Sequence, residues 1–383
     1  MPASQSTPQL LDVKNLPIEQ LIRNADKVDK DAVFPKDSIS ALADSGFLGL
    51  LVPKANGGQQ SSSLQFSEVA EEIAAACAST GMIFVMHCCA IETIKTHLSG
   101  DIASQLLSAA ASGKHLGTLA LSEPGTGAHF YATYGTSQAK EAQFIVNVEK
   151  CFVTSGARAD SYVISARAVQ SEDPLKSNLY LLLSDDAGMS FTGKWNGLGM
   201  RGNSSIDLTV KNTVVPGDRL VGEAGKGLEI EMSCVLPRFL LGSAAVYLGI
   251  ARAAYEATCR HVKSRVHQHS GQTLDALAVV RRGVAEMKTS VDSSRIFIHS
   301  VARQWDDEAQ PPLIALMEAK LRACQTASAV TSLAMQLCGG VAYSGALPVE
   351  RHMRDALAGN VMAPTTDMLL DFIGKAALDL PLL

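Results

Sequence analysis

The spacing of apolar residues predicts helices in the first part of the chain. In the stretch SSSLQFSEVAEEIAAA, the apolar positions that recur close to helical spacing are Leu64, Phe66, Val69, Ile73 and Ala76. Ser61 to Ser63 offer a hydroxyl that can cap the first turn of this helix. Similar patterns extend over most of the first hundred residues, and we predict an all-helical N-terminal domain over residues 1–115.

After Gly117 the pattern changes to alternating or β-branched runs that are separated by turn residues. The runs typical of strands are Phe144–Lys150, Ser161–Ala168, Leu179–Asp185 and Ser204–Val210. No helical segment lies between them, which argues against a doubly wound nucleotide-binding fold. We predict a small antiparallel sheet or barrel over residues 116–225.

Long helical segments return beyond Gly227. Three of them, of about thirty residues each by helical periodicity, begin at Leu236, Thr273 and Pro311. The last opens with prolines and closes with glycines, as helices commonly do. We predict a C-terminal helical bundle over residues 226–383, so the fold class is α+β, in the order helices, sheet, helices.

Composition and charge narrow the function. Of 383 residues, 47% are hydrophobic and 19% charged, with a formal net charge of −5, which is typical of a soluble globular protein. Lys and Arg are dispersed, so we expect no nucleic-acid partner. The N-terminus lacks the pattern of a signal peptide and the stretch Phe239–Ala251 is too short to span a bilayer, so we expect a cytoplasmic protein without a membrane partner.

The eight cysteines form no C-x-x-C pair and have no histidine at zinc spacing. We predict that they are buried free thiols and that the chain holds no metal.

Four motifs carry a resemblance to a known family. They are ALSEPGTGAHF (120–130), CFVTSGARADSYVISAR (151–167), GLGMRGNSSIDLTVKNTVVP (197–216) and QLCGGVAYSGALPVERHMRDA (336–356). In this order they resemble the acyl-CoA dehydrogenase family over nearly the whole chain. The resemblance implies an N-terminal helical domain, a middle antiparallel β domain and a C-terminal four-helix bundle, with FAD as the cofactor and a homo-oligomer, either dimer or tetramer.

The resemblance also implies which residues contact FAD. Phe152 stands where the family packs an aromatic near the flavin, Thr154 where a hydroxyl bonds the ring edge, and a neighbouring subunit reaches the adenine and diphosphate through the helix end at 336–340. The full set of predicted cofactor-binding residues is Leu119, Ser122, Gly127, Ala128, Phe152, Thr154, Arg265, Gln336, Gly339, Gly340, Thr365 and Asp367.

Two of these motifs depart from the family pattern. Ala128-His129 replaces the family's Ser-Asp, so one hydroxyl contact to the cofactor is missing. The segment from Arg265 to Gly271 is two residues longer than the family's Arg-x-x-Phe-Gly and lacks its aromatic residue.

The most informative departure concerns the catalytic base. The family's dehydrogenases remove a proton next to a thioester carbonyl with a Glu, and the place of that Glu in the commonest branch is Ala363 here. A second branch places its Glu immediately before a helical Arg, where this chain has Pro237 before Arg238. We predict that Arg238 and Ala363 contact the substrate.

Two residues are candidates for a relocated base. Asp367 follows Ala363 by four residues, although an acid in the first turn of a helix more commonly interacts with the helix dipole. His87 falls on a helix that in this family borders the acyl pocket, although a lone His on an apolar helix is commonly a core residue. Glu92 on the same helix is expected to be solvated, and nothing in the sequence supports Cys88 or Cys89 as a nucleophile.

Three functions follow from this resemblance. The first is oxidation of an acyl thioester by hydride transfer to flavin with a non-standard base. The thioester is bound to CoA or to an acyl carrier protein, an already unsaturated acyl group is one candidate, and an electron-transfer flavoprotein is the candidate electron acceptor. The second is a flavin-dependent monooxygenase or oxidase on the same fold. The third is a catalytically silent thioester-binding homologue.

Overall fold

Helices form both ends of the chain, and two small sheets lie between them. The computed structural model describes residues 11–308 and 310–382. The N-terminal helices are α1 (Ile18–Lys30), α2 (Lys36–Asp44), α3 (Ser63–Ala76), α4 (Ala78–His97) and α5 (Gly100–Ala111). The predicted cap of α3 is provided by Ser62, whose hydroxyl accepts a hydrogen bond from the Gln65 N–H at 3.1 Å.

The middle of the chain forms two four-stranded sheets. The strands are β1 (Gly117–Ala120), β2 (Thr136–Lys140), β3 (Gln143–Val153), β4 (Ser161–Arg167), β5 (Ser177–Leu183), β6 (Met189–Thr192), β7 (Ile206–Pro216) and β8 (Leu220–Val221). One sheet has the order β1-β4-β5-β8 and the other β2-β3-β7-β6. All pairs are antiparallel except β1 and β4, which run parallel because the intervening chain crosses into the second sheet before it returns.

The C-terminal part is helical again. Its elements are α6 (Gly227–Ile230), a π-helical turn (Glu231–Val235), α7 (Leu236–Ser264), the hairpin β9 (Val266–His267) and β10 (Gln272–Thr273), α8 (Ala278–Asp307), α9 (Leu313–Cys338), α10 (Gly340–Tyr343), α11 (Val349–Val361) and α12 (Thr366–Ala377). The second long helix begins later than the periodicity predicts, because Gln272 and Thr273 pair with β9.

The continuous helical stretch Gly227–Ser264 is long and apolar enough to cross a membrane by length and composition, which the sequence analysis did not anticipate. In the structure 94% of its most apolar window is buried inside the protein, as in the core helix of a soluble protein. Its apolar surface is therefore covered by protein.

The described residues contain two large hydrophobic cores. Helices from both ends of the chain share the larger one, which surrounds α7, whereas the smaller one fills the space between the two sheets around residues such as Val146, Tyr162 and Leu208. The eight cysteines are free thiols as predicted; six are buried, but Cys151 and Cys259 are only partly buried.

A buried ion pair connects the segment after β1 to both sheets. Lys150 on β3 donates hydrogen bonds to the Glu123 carboxylate at 2.7 Å, the Leu121 carbonyl at 3.1 Å and the Ser165 hydroxyl at 2.9 Å. Glu123 also accepts from the Tyr134 N–H at 2.7 Å. Burial alone would raise the pKa of Glu123, but the Lys150 charge and these hydrogen bonds hold that pKa below its ordinary value.

Replacing one partner of this pair is expected to destabilise the fold strongly. Lys150→Met leaves the Glu123 carboxylate buried without its cation, and we expect a loss of about 3–5 kcal/mol in the free energy of unfolding, measured by urea denaturation at neutral pH. Because the pKa of Glu123 is lowered in the folded state, the contribution of the pair is present above the ordinary carboxyl pKa and disappears as the pH falls through the folded-state value.

Lys226→Met provides the matched control. Lys226 pairs with Glu229 at 2.7 Å on the surface, where both side chains are more than half exposed. Removing this lysine is expected to leave the unfolding curve unchanged. Equal curves for the Lys150 and Lys226 variants would show that the buried pair does not stabilise the fold.

Candidate active site

A cavity of about 730 Å³ lies where the helical and sheet regions meet. One side is apolar and is formed by α4, the start of α7 and the segment before α12, through Met82, Met86, Val235, Leu236, Phe239 and Met362. The other side carries polar residues from the ends of the strands, among them Ser122, Thr154, Asn203 and Ser205. The cavity therefore offers hydrogen bonds on one face and an apolar surface on the other.

Seven predicted site residues line this one cavity. They are Leu119, Ser122, Gly127, Ala128, Phe152, Thr154 and Ala363. Gly127 has a φ of +58° and open space where a Cβ would stand, so a ligand can approach the backbone closely at this turn. The structure thus gathers the residues of two motifs that are about thirty positions apart in the sequence.

Phe152 presents an uncovered aromatic surface to the cavity. Its side chain is 68% exposed, its φ is +56°, and its ring meets Trp195 edge to face at 6.5 Å between centroids. A left-handed backbone conformation is costly for an aromatic residue and persists only where the surroundings enforce it. A flat aromatic ligand that covered this ring would bury its exposed surface.

The polar face of the cavity carries groups that can form further hydrogen bonds. The Thr154 hydroxyl lies 3.3 Å from that of Ser205, and the Thr154 carbonyl accepts from the Thr118 hydroxyl at 2.8 Å. Asn203 is buried and its side-chain oxygen has no hydrogen-bond partner among the described residues. Buried polar atoms are rarely left unpaired, so this face fits a ligand with polar ring edges, as a flavin has.

Ala363 lies in the cavity wall between α11 and α12. Its neighbours Met362 and Pro364 line the cavity too, and Thr365 begins the next helix by accepting a hydrogen bond from the Met368 N–H at 3.3 Å. The carboxylates that line the cavity within the described residues are Glu123, which Lys150 neutralises, and the exposed Asp207. The wall at Ala363 is therefore without an acid.

Neither candidate base lines the cavity. Asp367 is exposed in the first turn of α12. His87 is fully buried, with Nε2 placed to donate to the Leu48 carbonyl at 2.8 Å and Nδ1 accepting from the Gly117 N–H at 3.1 Å. Burial lowers the pKa of His87 to about 4, so its ring is neutral and both its nitrogens are occupied. His87 therefore serves the core as a structural residue.

Arg238 also lies away from the cavity. Its guanidinium stacks between Trp305 at 4.1 Å and Phe66 at 5.1 Å, and it pairs with Glu92 at 3.2 Å. The expectation that Arg238 contacts substrate is not supported, because these partners hold it inside the bundle. Glu92 is 13% exposed, so the expectation of a solvated Glu92 is wrong.

The remaining predicted cofactor residues do not line the cavity, and all of them are exposed except Thr365, which is partly buried. Arg265, Gln336, Gly339 and Gly340 are exposed, and both glycines have open space where a Cβ would stand. They are distinct from the residues that line the cavity within one chain. The sequence analysis missed three residues at the site. Lys150 and Lys320, a buried residue behind the cavity wall, lie in none of the four motifs, and the motif 197–216 that contains Asn203 gave no site prediction.

Comparison with known proteins identifies the family of the chain. Profiles of the acyl-CoA dehydrogenase N-terminal, middle and C-terminal domains match residues 12–114, 118–213 and 225–378. The mitochondrial short-chain specific acyl-CoA dehydrogenase of Sus scrofa is 29% identical over 91% of this chain and 84% of its own length. A probable acyl-CoA dehydrogenase of Mycobacterium tuberculosis is 28% identical over 96% of this chain and 93% of its own.

A solved structure shows the same fold. The butyryl-CoA dehydrogenase of Megasphaera elsdenii superimposes with a TM-score of 0.90 at 25% identity, over 97% of this chain and all of its own. Together with the three domain matches and the fit of the cavity to a flavin, this shows that the chain belongs to the acyl-CoA dehydrogenase family and is a flavin-dependent oxidoreductase that acts on CH–CH groups.

Proposed function

We propose that the protein oxidises an acyl thioester, carried by CoA or an acyl carrier protein, that requires no carboxylate base at Ala363. An already unsaturated acyl group meets this condition because it loses its proton further from the carbonyl. The observation that carries the proposal is the cavity wall itself, which is apolar along the acyl side and lacks an acid at Ala363.

In this proposal the polar face of the cavity binds the flavin and the apolar face binds the acyl chain. Thr154 and Asn203 offer hydrogen-bonding groups to the edge of the flavin, and Phe152 offers it an aromatic contact. Met82, Met86 and Phe239 surround the acyl chain. Bound FAD supplies the acceptor for the hydride.

The absence of a carboxylate at Ala363 also favours a second function, a flavin-dependent monooxygenase or oxidase that does not start with proton abstraction by a carboxylate at this wall. The functions differ in electron flow. In the first, a thioester bleaches the oxidised flavin without oxygen; a monooxygenase transforms its substrate only with reduced flavin and oxygen, and an oxidase passes the electrons of its substrate on to oxygen. Electron transfer onward to an electron-transfer flavoprotein belongs to the first function.

An engineered base provides the test of the first function. Ala363→Glu, and the double variant Ala363→Glu with Pro364→Gly, place a carboxylate at the wall of the cavity. With saturated acyl-CoA under anaerobic conditions, we expect slow or absent flavin bleaching by the wild type and a gain of about 10²–10⁴-fold in rate in the variants. Unsaturated acyl thioesters are expected to bleach the wild-type flavin.

Asp367→Asn is the control for this experiment. Because Asp367 is exposed and lies off the cavity, its amide is expected to leave the bleaching rate unchanged. A wild-type flavin that no saturated or unsaturated thioester reduces would refute the proposed function, and a transformed substrate on adding reduced flavin and oxygen would establish the second one.

We further propose that the active protein is a homo-oligomer, either dimer or tetramer, in which Gln336, Gly339 and Gly340 of one subunit contact the FAD of its neighbour. The support is their exposure together with the open space beside both glycines. Arg265 is exposed as well, and we propose that it contacts the adenine and diphosphate part of the same FAD. Shared sites of this kind make cofactor binding depend on assembly.

Gln336→Ala tests the shared site. We expect about five- to tenfold weaker FAD binding by fluorescence titration, the loss of roughly one hydrogen bond, and FAD release on dilution below the dissociation constant of the oligomer. Gln304→Ala is the matched control, because the side-chain amide of Gln304 donates a surface hydrogen bond to Glu308 at 2.9 Å within its own chain. Equal FAD affinity in the two variants would contradict a role for Gln336.

A further inference from the structure

Lys320 on α9 is buried directly behind the cavity wall. Its ammonium donates hydrogen bonds to the Met362 carbonyl at 2.8 Å and the Pro364 carbonyl at 2.6 Å. These carbonyls stand on either side of Ala363. Nζ also lies 5.7 Å from the centre of the Phe239 ring, which is a further part of the wall. A cation is thus fixed at the place where an acid is missing.

The charge on Lys320 is not matched by an acid. Across residues 11–308 and 310–382, no carboxylate forms an ion pair with it. The titratable group that acts on it is the Cys324 thiol on α9, and the Tyr247 hydroxyl on α7 contacts the sulfur of Met362 in the same segment at 3.8 Å. Burial raises the pKa of Cys324 to about 11 and that of Tyr247 far above its ordinary value, so both are neutral.

Lys320 itself remains charged at neutral pH. Burial lowers its pKa to about 8, so the ammonium form predominates at pH 7. Of the carboxylates at the cavity, Glu123 is neutralised by Lys150 and Asp207 lies exposed at its edge. A buried, unmatched charge strongly favours an anion placed within a few ångströms of it.

We infer that Lys320 is a positioning residue whose positive charge stabilises the enolate of the bound acyl thioester, so that the substrates are thioesters that ionise before they are oxidised. This inference rests on the proposed function. In the ionisation step a C–H bond next to the conjugated carbonyl system breaks, its electron pair stays in the enolate, and water takes the proton. The hydride then leaves the anion for the flavin.

The charge of Lys320 and its hydrogen bonds can be separated experimentally. A neutral amine still has two N–H groups, enough for both carbonyls, so the wall survives loss of the charge. Lys320→Gln keeps an amide with two N–H donors and removes the charge, Lys320→Met removes both, and Lys320→Arg keeps the charge. If Lys320 had a purely structural role, the Lys320→Gln variant would form the enolate as readily as the wild type.

The experiment titrates FAD-loaded enzyme with a 3-oxoacyl-CoA under anaerobic conditions. An enolate stacked on oxidised flavin gives a long-wavelength charge-transfer absorption, and its pH midpoint reports the ionisation of the bound ligand. We expect the wild type and Lys320→Arg to form this band at neutral pH. Lys320→Gln and Lys320→Met are expected to form about tenfold less enolate at the same pH, with a midpoint higher by about one.

The outcomes separate this inference from the proposed function. Equal midpoints in the wild type and Lys320→Gln would overturn the role of the charge while thioester binding stands. A wild-type flavin spectrum that no acyl thioester perturbs would overturn the proposed function and this inference with it. If Lys320→Met fails to retain FAD, the comparison of Lys320→Gln with Lys320→Arg still tests the role of the charge, because both variants keep N–H donors.

Discussion

Close packing around α7 is the constraint on which the rest of the structure depends. A Cβ on Gly249 would stand 2.4 Å from the backbone oxygen of Glu71 on α3, and one on Gly242 would stand 2.5 Å from Val85 on α4. Real side-chain contacts do not approach this closely, so only glycine allows the N-terminal helices to reach α7. Since the first turns of α7 carry Leu236 and Phe239 into the cavity, this packing also shapes the site.

Periodicity was sufficient to predict the elements but not all their partners. The strand runs of β3, β4, β5 and β7 and the long helices are visible because each buries one face or both in a regular repeat. The parallel pairing of β1 with β4 and the two-residue strands of the hairpin are not visible. They depend on where distant segments lie, which no local repeat encodes.

The same distinction explains the site. Residues carried by motifs, such as Ser122 and Thr154, line the cavity because the turns that present them are local. Arg238 does not, since Phe66, Trp305 and Glu92 come from other helices to enclose it. Lys320 belongs to no motif, and its importance appears only when the chain brings the segment before α12 back against α9.

The missing acid and the unmatched lysine meet at one short segment of the chain. Ala363 stands between the two carbonyls that accept hydrogen bonds from Lys320. The wall therefore carries the cation of Lys320 behind it and no carboxylate at position 363. Such a wall cannot take a proton, but it lowers the free energy of an anion formed beside it. With alanine at position 363, ionisation therefore depends on the acidity of the substrate and not on a carboxylate base of the protein.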